Sequence, residues 1–266
     1  MPVPPSILIS PKNYLRRAAR RSPSEPDFSF VFSDFVTADL ATHAAVIPTT
    51  LAEAHILQAR RQEGGTVPAL FPDAATIARC DDKLRCNEIL IAAGFGAHIP
   101  PLGRPAEGQP FVLKARHGEF GNGSYLIPDA AAAERMAGLI AAPDHFCQSY
   151  VAADREYACH FLLQDGQLRY HMEVEYQMQP APYIRSAENR GMTRQFGTPS
   201  RFRDLFLGML AALGFTEGTC CIDYKIAEGR PMLLEVNPRF GGSLSNCLKP
   251  YALAYLTALN GAAMPA

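Results

Sequence analysis

The feature that most constrains the fold is a pair of apolar segments, 219–227 and 231–237, that carry acidic residues at matching positions. Residues 228–230 between them read Glu-Gly-Arg, and this pattern predicts a β-hairpin with a three-residue turn. Such a turn places Asp223 directly opposite Glu235, with Cβ atoms about 4.5–5.5 Å apart. The hairpin is therefore expected to bring two carboxylates together in an otherwise buried pair of strands.

An amide side chain adds to this pair. Side chains alternate across a strand, so Asn237 faces the same side as Glu235. Opposed carboxylates repel each other without a counter-ion, and Mg²⁺ is a hard cation that prefers oxygen ligands. The absence of histidine and cysteine from the set disfavours zinc. The residues alone leave two interpretations open, a magnesium site or a frayed strand end that faces water.

Composition excludes several classes of protein. The chain has 266 residues, is 48% hydrophobic and has a formal net charge of −1, which indicates a globular core and argues against nucleic-acid binding. The basic run at 16–21 is interpreted as a solvated helix face. The sequence contains no run of 18 apolar residues, so we expect no membrane span. We also expect no signal peptide. Seven cysteines without a C-x-x-C pair indicate reduced, buried thiols and a cytoplasmic protein.

Residues 1–75, here called the N-terminal unit, are predicted to form a short α/β unit. Its apolar runs, each long enough for a buried strand, lie at 6–10, 28–32 and 44–48. Thr50 and Glu53 have the spacing of a capping box at the start of a helix. The glycine-rich dinucleotide fingerprint does not follow the first strand. In residues 76–266, grouped strands and separate helices favour α+β layers.

A glycine-rich stretch follows the strand predicted at 111–115. Lys114 lies near the end of that strand, and Gly118, Gly121 and Gly123 come after it. Glycine lets backbone amides approach an anion closely, and the lysine adds a full positive charge. The order differs from that of the Walker pattern, in which the lysine follows the glycines. A phosphate-binding cover and a flexible hairpin loop are both compatible with these residues.

Taken together, four segments in order resemble the ATP-grasp superfamily over roughly residues 76–250. They are CDDKLRCNEILIAAGFGAHIPP (80–101), FVLKARHGEFGNGSYLI (111–127), CQSYVAADREYACHFLL (147–163) and TCCIDYKIAEGRPMLLEVNPRFGGS (219–243). The E-x-N-P-R ending with its upstream aspartate is the most specific part. The resemblance implies two α+β subdomains that sandwich ATP, a lid-like one at about 100–150 and a metal-binding one at about 151–266, preceded by the N-terminal unit.

The resemblance also implies roles for individual residues. Lys83 and Lys114 are expected to hold the ATP phosphates, Glu156 the ribose hydroxyls, and Arg239 the transferred phosphate, with Lys114 and Arg239 as the catalytic pair. The residues expected to line the adenine site are Gln148, Tyr150 and Val151. The expected ligands of one or two Mg²⁺ ions, which Mn²⁺ can replace, are Asp223, Glu235 and Asn237.

Some features depart from the family pattern. Cys221 stands where some members carry a basic residue, which leaves that charge to Arg239, Lys225 or a loop arginine. The N-terminal unit is short, so it receives no substrate-binding role. Residues 177–198 are predicted to form a long loop at the substrate pocket. Three arginines in this loop suit a carboxylate or phosphate substrate, and they are Arg185, Arg190 and Arg194. Ordinary surface charge is the alternative interpretation.

The implied activity is an ATP- and Mg²⁺-dependent ligase that activates a carboxylate as an acyl phosphate and joins it to an amine or similar nucleophile. A small-molecule kinase and a non-catalytic ATP-binding module are the alternatives. The expected partners are therefore a small-molecule acid and amine, with neither nucleic acid nor membrane. Members of the superfamily are often dimers, so a homodimer is the candidate assembly.

Overall fold

The computed structural model describes seven stretches of the chain, and the statements below concern these stretches. They are residues 4–21, 28–106, 108–118, 121–178, 182–186, 191–198 and 200–261. Within them the chain forms three β-sheets with helices packed on their faces. This mixed α+β architecture confirms the predicted fold class.

The N-terminal unit contains a small parallel sheet and two helices. Its strands, in the spatial order β2-β1-β3, are β1 (Ser6–Ile9), β2 (Ser29–Phe32) and β3 (Ala45–Ile47). Helix α1 (Asn13–Arg21) follows β1, and helix α2 (Leu51–Gln62) follows β3. Thr50 caps α2 as predicted, since its Oγ1 accepts a hydrogen bond from Glu53 N at 3.2 Å. The return bond differs from that of a capping box, because Glu53 Oε2 accepts from Thr49 N, at 2.7 Å, one residue before the cap.

Two short helices lead from this unit to the next sheet, α3 (Ala74–Asp81) and α4 (Lys83–Leu90). Asp73 and Asp82 cap them, each accepting a hydrogen bond from the backbone N–H three residues later. In the sequence, Asp81 and Asp82 predict one helix start, which is that of α4, whereas α3 is not predicted. The junction between the two helices places Lys83 in the first turn of α4.

A three-stranded antiparallel sheet follows, in the order β5-β4-β6. Its strands are β4 (Phe111–Ala115), β5 (Ser124–Ile127) and β6 (His145–Ser149). Phe111 and Leu113 pack in an apolar cluster with residues of helices α5 (Ala130–Arg135) and α6 (Ala137–Ile140). Lys114 alternates to the opposite face of β4.

The largest sheet has five antiparallel strands in the order β11-β10-β7-β8-β9. They are β7 (Arg155–Gln164), β8 (Gln167–Gln177), β9 (Met192–Thr198), β10 (Gly218–Ala227) and β11 (Arg230–Asn237). Helix α7 (Arg203–Ala212) packs on one face, and helix α8 (Leu248–Leu259) packs with the N-terminal unit on the other. The sheet is therefore covered on both sides.

The prediction of a single long loop over 177–198 is wrong in its second half. Residues 192–198 form β9, which pairs with β8 at the sheet edge. Two register shifts interrupt this pairing. The segment contains Gly197 and lacks the alternation of polar and apolar residues typical of a regular strand. The segment between the two strands is thus shorter than predicted.

Buried hydrogen bonds join the N-terminal unit to α8. The hydroxyl of Tyr255 lies 2.6 Å from Leu70 N, 2.9 Å from Leu70 O and 3.0 Å from Val46 O. These contacts link residues separated by about 200 positions in the chain, so they join the N-terminal unit to the last helix described. Among the helices described, none has the length and apolar character needed to cross a membrane.

Candidate active site

One cavity of about 850 Å³ collects most of the predicted site residues. Those that line it are Lys83, Lys114, Gly121, Gln148, Tyr150, Val151, Glu156, Arg185, Asp223, Glu235, Asn237 and Arg239. Gly118 and Gly123 lie outside the lining. Arg190 lies outside the described residues, and for Arg194 only the backbone, in β9, is described. The volume is in the range typical of small-molecule sites.

The β10–β11 hairpin places two carboxylates on this wall. Its turn comprises only residues 228–229, both with positive φ (51° and 75°), so the predicted three-residue turn is wrong. A bulge at Leu234 adds the missing residue, and Asp223 therefore pairs with Glu235 as predicted. Leu234 also contacts Lys114, because its backbone oxygen accepts a hydrogen bond from Lys114 Nζ at 3.0 Å.

Asn237 bridges the two carboxylates. Its Nδ2 donates to Glu235 Oε1 at 2.9 Å and to Asp223 Oδ2 at 3.2 Å. Burial raises the pKa of Asp223 to about 7, with Glu235 adding to the effect and Arg185 opposing it. Burial alone would raise the pKa of Glu235 too, but Lys83, the Asn237 amide and Lys114 lower it. The pair is thus asymmetric, with Asp223 as the member that holds a proton most readily.

Two lysines from separate elements reach the same place. Lys83 Nζ lies 3.8 Å from Glu235 Oε2 and donates to Gly118 O at 2.7 Å. Lys114 Nζ donates to Gln148 Oε1 at 2.8 Å. Burial lowers the pKa of Lys114 to about 8, against the opposing effect of Glu235. The cavity wall therefore presents two ammonium groups beside a carboxylate pair.

The glycine-rich segment runs close to the loop that contains Arg185. Gly121 has a φ of 74°, and a Cβ atom there would lie 2.7 Å from Arg185 O. Neither the left-handed backbone nor the close approach suits a larger residue. Lys83, through Gly118 O, holds the start of the segment. The segment thus connects a predicted phosphate lysine to the predicted substrate loop.

The predicted adenine hinge is built around β6 and residues 150–151. Gln148 is buried, and its Nε2 donates to Pro100 O at 3.1 Å, so its side chain positions Lys114. Lys225 Nζ donates to Val151 O at 3.1 Å and lies 4.0 Å from the centroid of the Tyr183 ring. Burial lowers the pKa of Lys225 to about 8.

Arg185 joins two of the predicted ligand sites. Its Nη2 donates to Asp223 Oδ1 at 2.7 Å, and its Nε forms an ion pair with Glu156. Its guanidinium also lies 4.6 Å from the centroid of the Tyr176 ring. Arg185 therefore supplies a positive charge beside Cys221, whose Sγ is 4.0 Å from Asp223 Oδ1.

Arg239 extends the polar network beyond the carboxylates. Its Nη2 donates to Asn237 Oδ1 at 3.0 Å, and the side chain is buried. Across the described ranges, no three His, Cys, Asp or Glu side chains are grouped so as to hold a metal ion. The candidate cation ligands are accordingly two carboxylates and one amide, all of them hard donors.

The N-terminal unit also lines the cavity, which sequence reasoning missed. Lys12 and Arg17 contribute after β1, and Thr49 and Thr50 contribute after β3. Ligands commonly bind outside the carboxyl ends of parallel strands. The positions of these residues after two predicted strands were the signal that could have identified them.

No family model matches the sequence, and no curated protein matches it. Several solved structures have a similar fold. An N5-carboxyaminoimidazole synthetase from Staphylococcus aureus, solved with ADP, has a TM-score of 0.65 at 14% identity over 100% of this chain and 79% of its own. An L-amino acid ligase from Bacillus licheniformis has a TM-score of 0.63 at 14% identity over 97% and 75%.

A D-alanine–D-alanine ligase from Bacillus anthracis, solved with ATP, has a TM-score of 0.59 at 13% identity over 98% of this chain and 99% of its own. The similarity covers nearly the whole chain in each case, and it includes the N-terminal unit as well as both antiparallel sheets. These identities are low, so the likeness concerns the fold. The chain has the ATP-grasp fold, as its motifs predicted.

Proposed function

We propose that the protein is an ATP- and Mg²⁺-dependent ligase that activates a carboxylate as an acyl phosphate and joins it to an amine. The observation that carries this proposal is the meeting of Lys83 and Lys114 with Asp223 and Glu235 on one cavity wall. A nucleotide's phosphate chain needs cationic side chains and a divalent ion together. Four separate segments of the chain supply the groups for both.

The residues that would hold Mg²⁺ are Asp223, Glu235 and Asn237. An ion bound there would supply positive charge that offsets the charge of a nucleotide's phosphate chain. The donor set fits such an ion, because its two carboxylates are oxygen donors and it includes no sulfur or imidazole. Asp223 and Glu235 are also close enough to repel each other when both are ionised and no cation lies between them.

The remaining polar residues fit the two chemical steps. In the first, an oxygen of the acid attacks the γ-phosphorus and ADP leaves, with Lys83 and Lys114 stabilising the phosphate charges. In the second, the amine attacks the acyl carbon, phosphate leaves and the amine gives up a proton. We assign to Arg239 the pairing with the transferred phosphoryl group; its burial beside Asn237 supports this role.

The glycine-rich segment is assigned the role of a cover over the phosphates. An acyl phosphate is destroyed by water, so the reaction needs a site that closes. The segment contacts Lys83 through Gly118 O and packs closely on residue 185 through Gly121. The solved structures of like fold include ligases, which supports the same reaction class here.

The test is an ADP-release assay with Mg-ATP and panels of acids and amines, followed by mass measurement of the product. We expect ADP only when both an acid and an amine are present, and a product mass equal to the sum of the two less water. ADP with a stable phosphorylated product and no need for an amine would indicate the kinase instead. Nucleotide binding without ADP from any mixture would indicate the non-catalytic module.

A further inference from the structure

The cavity wall carries more positive than negative charge. Among the described residues that line it, seven side chains are cationic and three are carboxylates. Five of the cations have been placed beside the phosphate, metal-ligand or adenine positions. The two that remain are Lys12, which precedes helix α1, and Arg17, which lies on it.

Neither of these two side chains has an ion-pair partner in the part of the chain that the structure describes. Within the described ranges, no carboxylate lies at ion-pair distance from Lys12 or Arg17. Both side chains reach the same cavity as the proposed metal ligands. They therefore form a cationic part of the wall that the nucleotide positions do not use.

The described turn that packs on helix α1 contributes polar lining residues and contains no acidic residue. Helix α1 packs against the 3₁₀ turn Gly242–Cys247, which follows Arg239 in the chain. Side chains of that turn also line the cavity, and those that carry hydroxyl or amide groups are Ser243, Ser245 and Asn246. Hydroxyls, amides and cations with no carboxylate among them are the groups that bind a carboxylate or a phosphate.

We infer that the acid substrate carries a second anionic group, besides the carboxylate that is activated, and that Lys12 and Arg17 bind this group. The inference rests on the proposed function. A triphosphate with one divalent cation brings about two net negative charges, and a single reacting carboxylate adds one more. That total falls short of the excess of cations over carboxylates on the wall, whereas a second carboxylate or a phosphate on the acid makes up the difference.

The first experiment compares matched acids in the ADP-release assay with a fixed set of amines. Aspartate is paired with asparagine and O-phosphoserine with serine, so that each pair differs in the second anionic group. We expect the charged member of at least one pair to have a kcat/KM at least about tenfold above that of its neutral partner. The two arms distinguish a carboxylate from a phosphate.

The second experiment measures the anion site without turnover. Inorganic phosphate is titrated by calorimetry into wild type, Lys12→Gln, Arg17→Gln and Arg20→Gln, each saturated with Mg²⁺ and a non-hydrolysable ATP analogue. Arg20 is an exposed arginine of the same helix outside the cavity lining, so it serves as the matched control. We expect wild type and Arg20→Gln to bind phosphate equally, and the other two variants to bind it at least about fivefold more weakly.

Equal phosphate binding by all four proteins, or equal use of charged and neutral acids by wild type, would overturn the inference. The two hypotheses fail in different ways. No ADP from any acid and amine, with phosphate binding still dependent on Lys12 and Arg17, would remove the ligase but keep an anion site. ADP release that requires an acid and an amine, but is equally fast with and without a second anionic group on the acid, would support the ligase. It would contradict the binding of that group by Lys12 and Arg17.

Discussion

Arg185 neutralises two buried carboxylates that belong to different predicted subsites. It contacts Asp223 and Glu156 at once, and both carboxylates lie where a bound nucleotide and its cation are proposed to sit. Burial lowers the pKa of Arg185, but Asp223 and Glu156 outweigh it and the net shift is upward. A cation that binds Asp223 must therefore compete with a permanently charged guanidinium.

Replacement of Arg185 by glutamine should strengthen divalent-cation binding in the absence of nucleotide. A unit charge several ångströms away at an effective dielectric constant of about 20 is worth more than 1.4 kcal/mol, so we expect Mn²⁺ to bind at least about tenfold more tightly. Electron paramagnetic resonance of free Mn²⁺ measures this affinity, at a pH above the pKa of Asp223 so that its carboxylate is ionised. The control is Arg203→Gln, whose ion pair with Asp204 is exposed. Unchanged or weaker Mn²⁺ binding would contradict the competition.

His160 should make the stability of the protein sensitive to acid. Burial, together with Arg185 and Arg239, lowers its pKa to about 3, and its ring nitrogen Nε2 lies 2.8 Å from Ser243 Oγ. The unfolded histidine takes up a proton near pH 6.5 while the folded one stays neutral. Stability should thus fall below that pH by about 1.4 kcal/mol per unit.

Urea unfolding near neutral pH and near pH 5 measures this contribution. We expect wild type to lose about 2 kcal/mol over this interval through His160 alone, and His160→Gln to lose that much less. His55→Gln, at an exposed position on α2, should behave as wild type does. An identical pH dependence in His160→Gln and wild type would show that the imidazole has the same pKa in the folded and unfolded states, and would contradict this prediction.

At the scale of elements, the β10–β11 hairpin was predictable because its turn residues and apolar runs are local in sequence. Its turn length was not, because Leu234 bulges from a uniformly apolar run that contains no bulge signal. Strand β9 was missed for a related reason, since its pairing with β8 is irregular. Helix α3 was missed although Asp73 is an ordinary cap for it.

The glycine-rich segment should tolerate no side chain where it meets the Arg185 loop. For Gly121→Ala we expect kcat/KM for ATP to fall at least about tenfold with the fold retained, because the new Cβ meets backbone at 2.7 Å. Gly166→Ala is the matched control, since its φ of 72° imposes the same backbone strain with nothing within 4 Å. Equal activity of the two variants would mean that the close approach has no role in catalysis.

At the scale of the whole molecule, the cavity depends on contacts that no local pattern encodes. The N-terminal unit packs on α8, and the hydrogen bonds of Tyr255 to Val46 and Leu70 are part of this packing. This explains why its lining residues could not be assigned from sequence, whereas the lysines and the hairpin carboxylates lie in recognisable motifs. Because this packing contributes to the stability of the protein, a change that weakens it should lower the Tm.

Tyr255→Phe should weaken this attachment. The change leaves buried backbone groups of Leu70 and Val46 without their hydroxyl partner, at a cost of about 2 kcal/mol. For a chain of this length, that corresponds to a fall in Tm of about 4–8 °C. Tyr125→Phe, at an exposed tyrosine, is the control and should leave Tm unchanged. A Tm equal to that of wild type would mean that the hydroxyl does not hold the unit in place.

The most direct test of the shared cavity is calorimetric binding of a non-hydrolysable ATP analogue with and without Mg²⁺. The proteins compared are wild type, Glu235→Gln and Glu228→Gln, the last changed at an exposed turn position of the same hairpin. We predict that removal of Mg²⁺ weakens binding at least about tenfold in wild type and Glu228→Gln, and has little effect in Glu235→Gln. Glu235→Gln binding with the full Mg²⁺ dependence of wild type, or no nucleotide binding by wild type, would contradict the account.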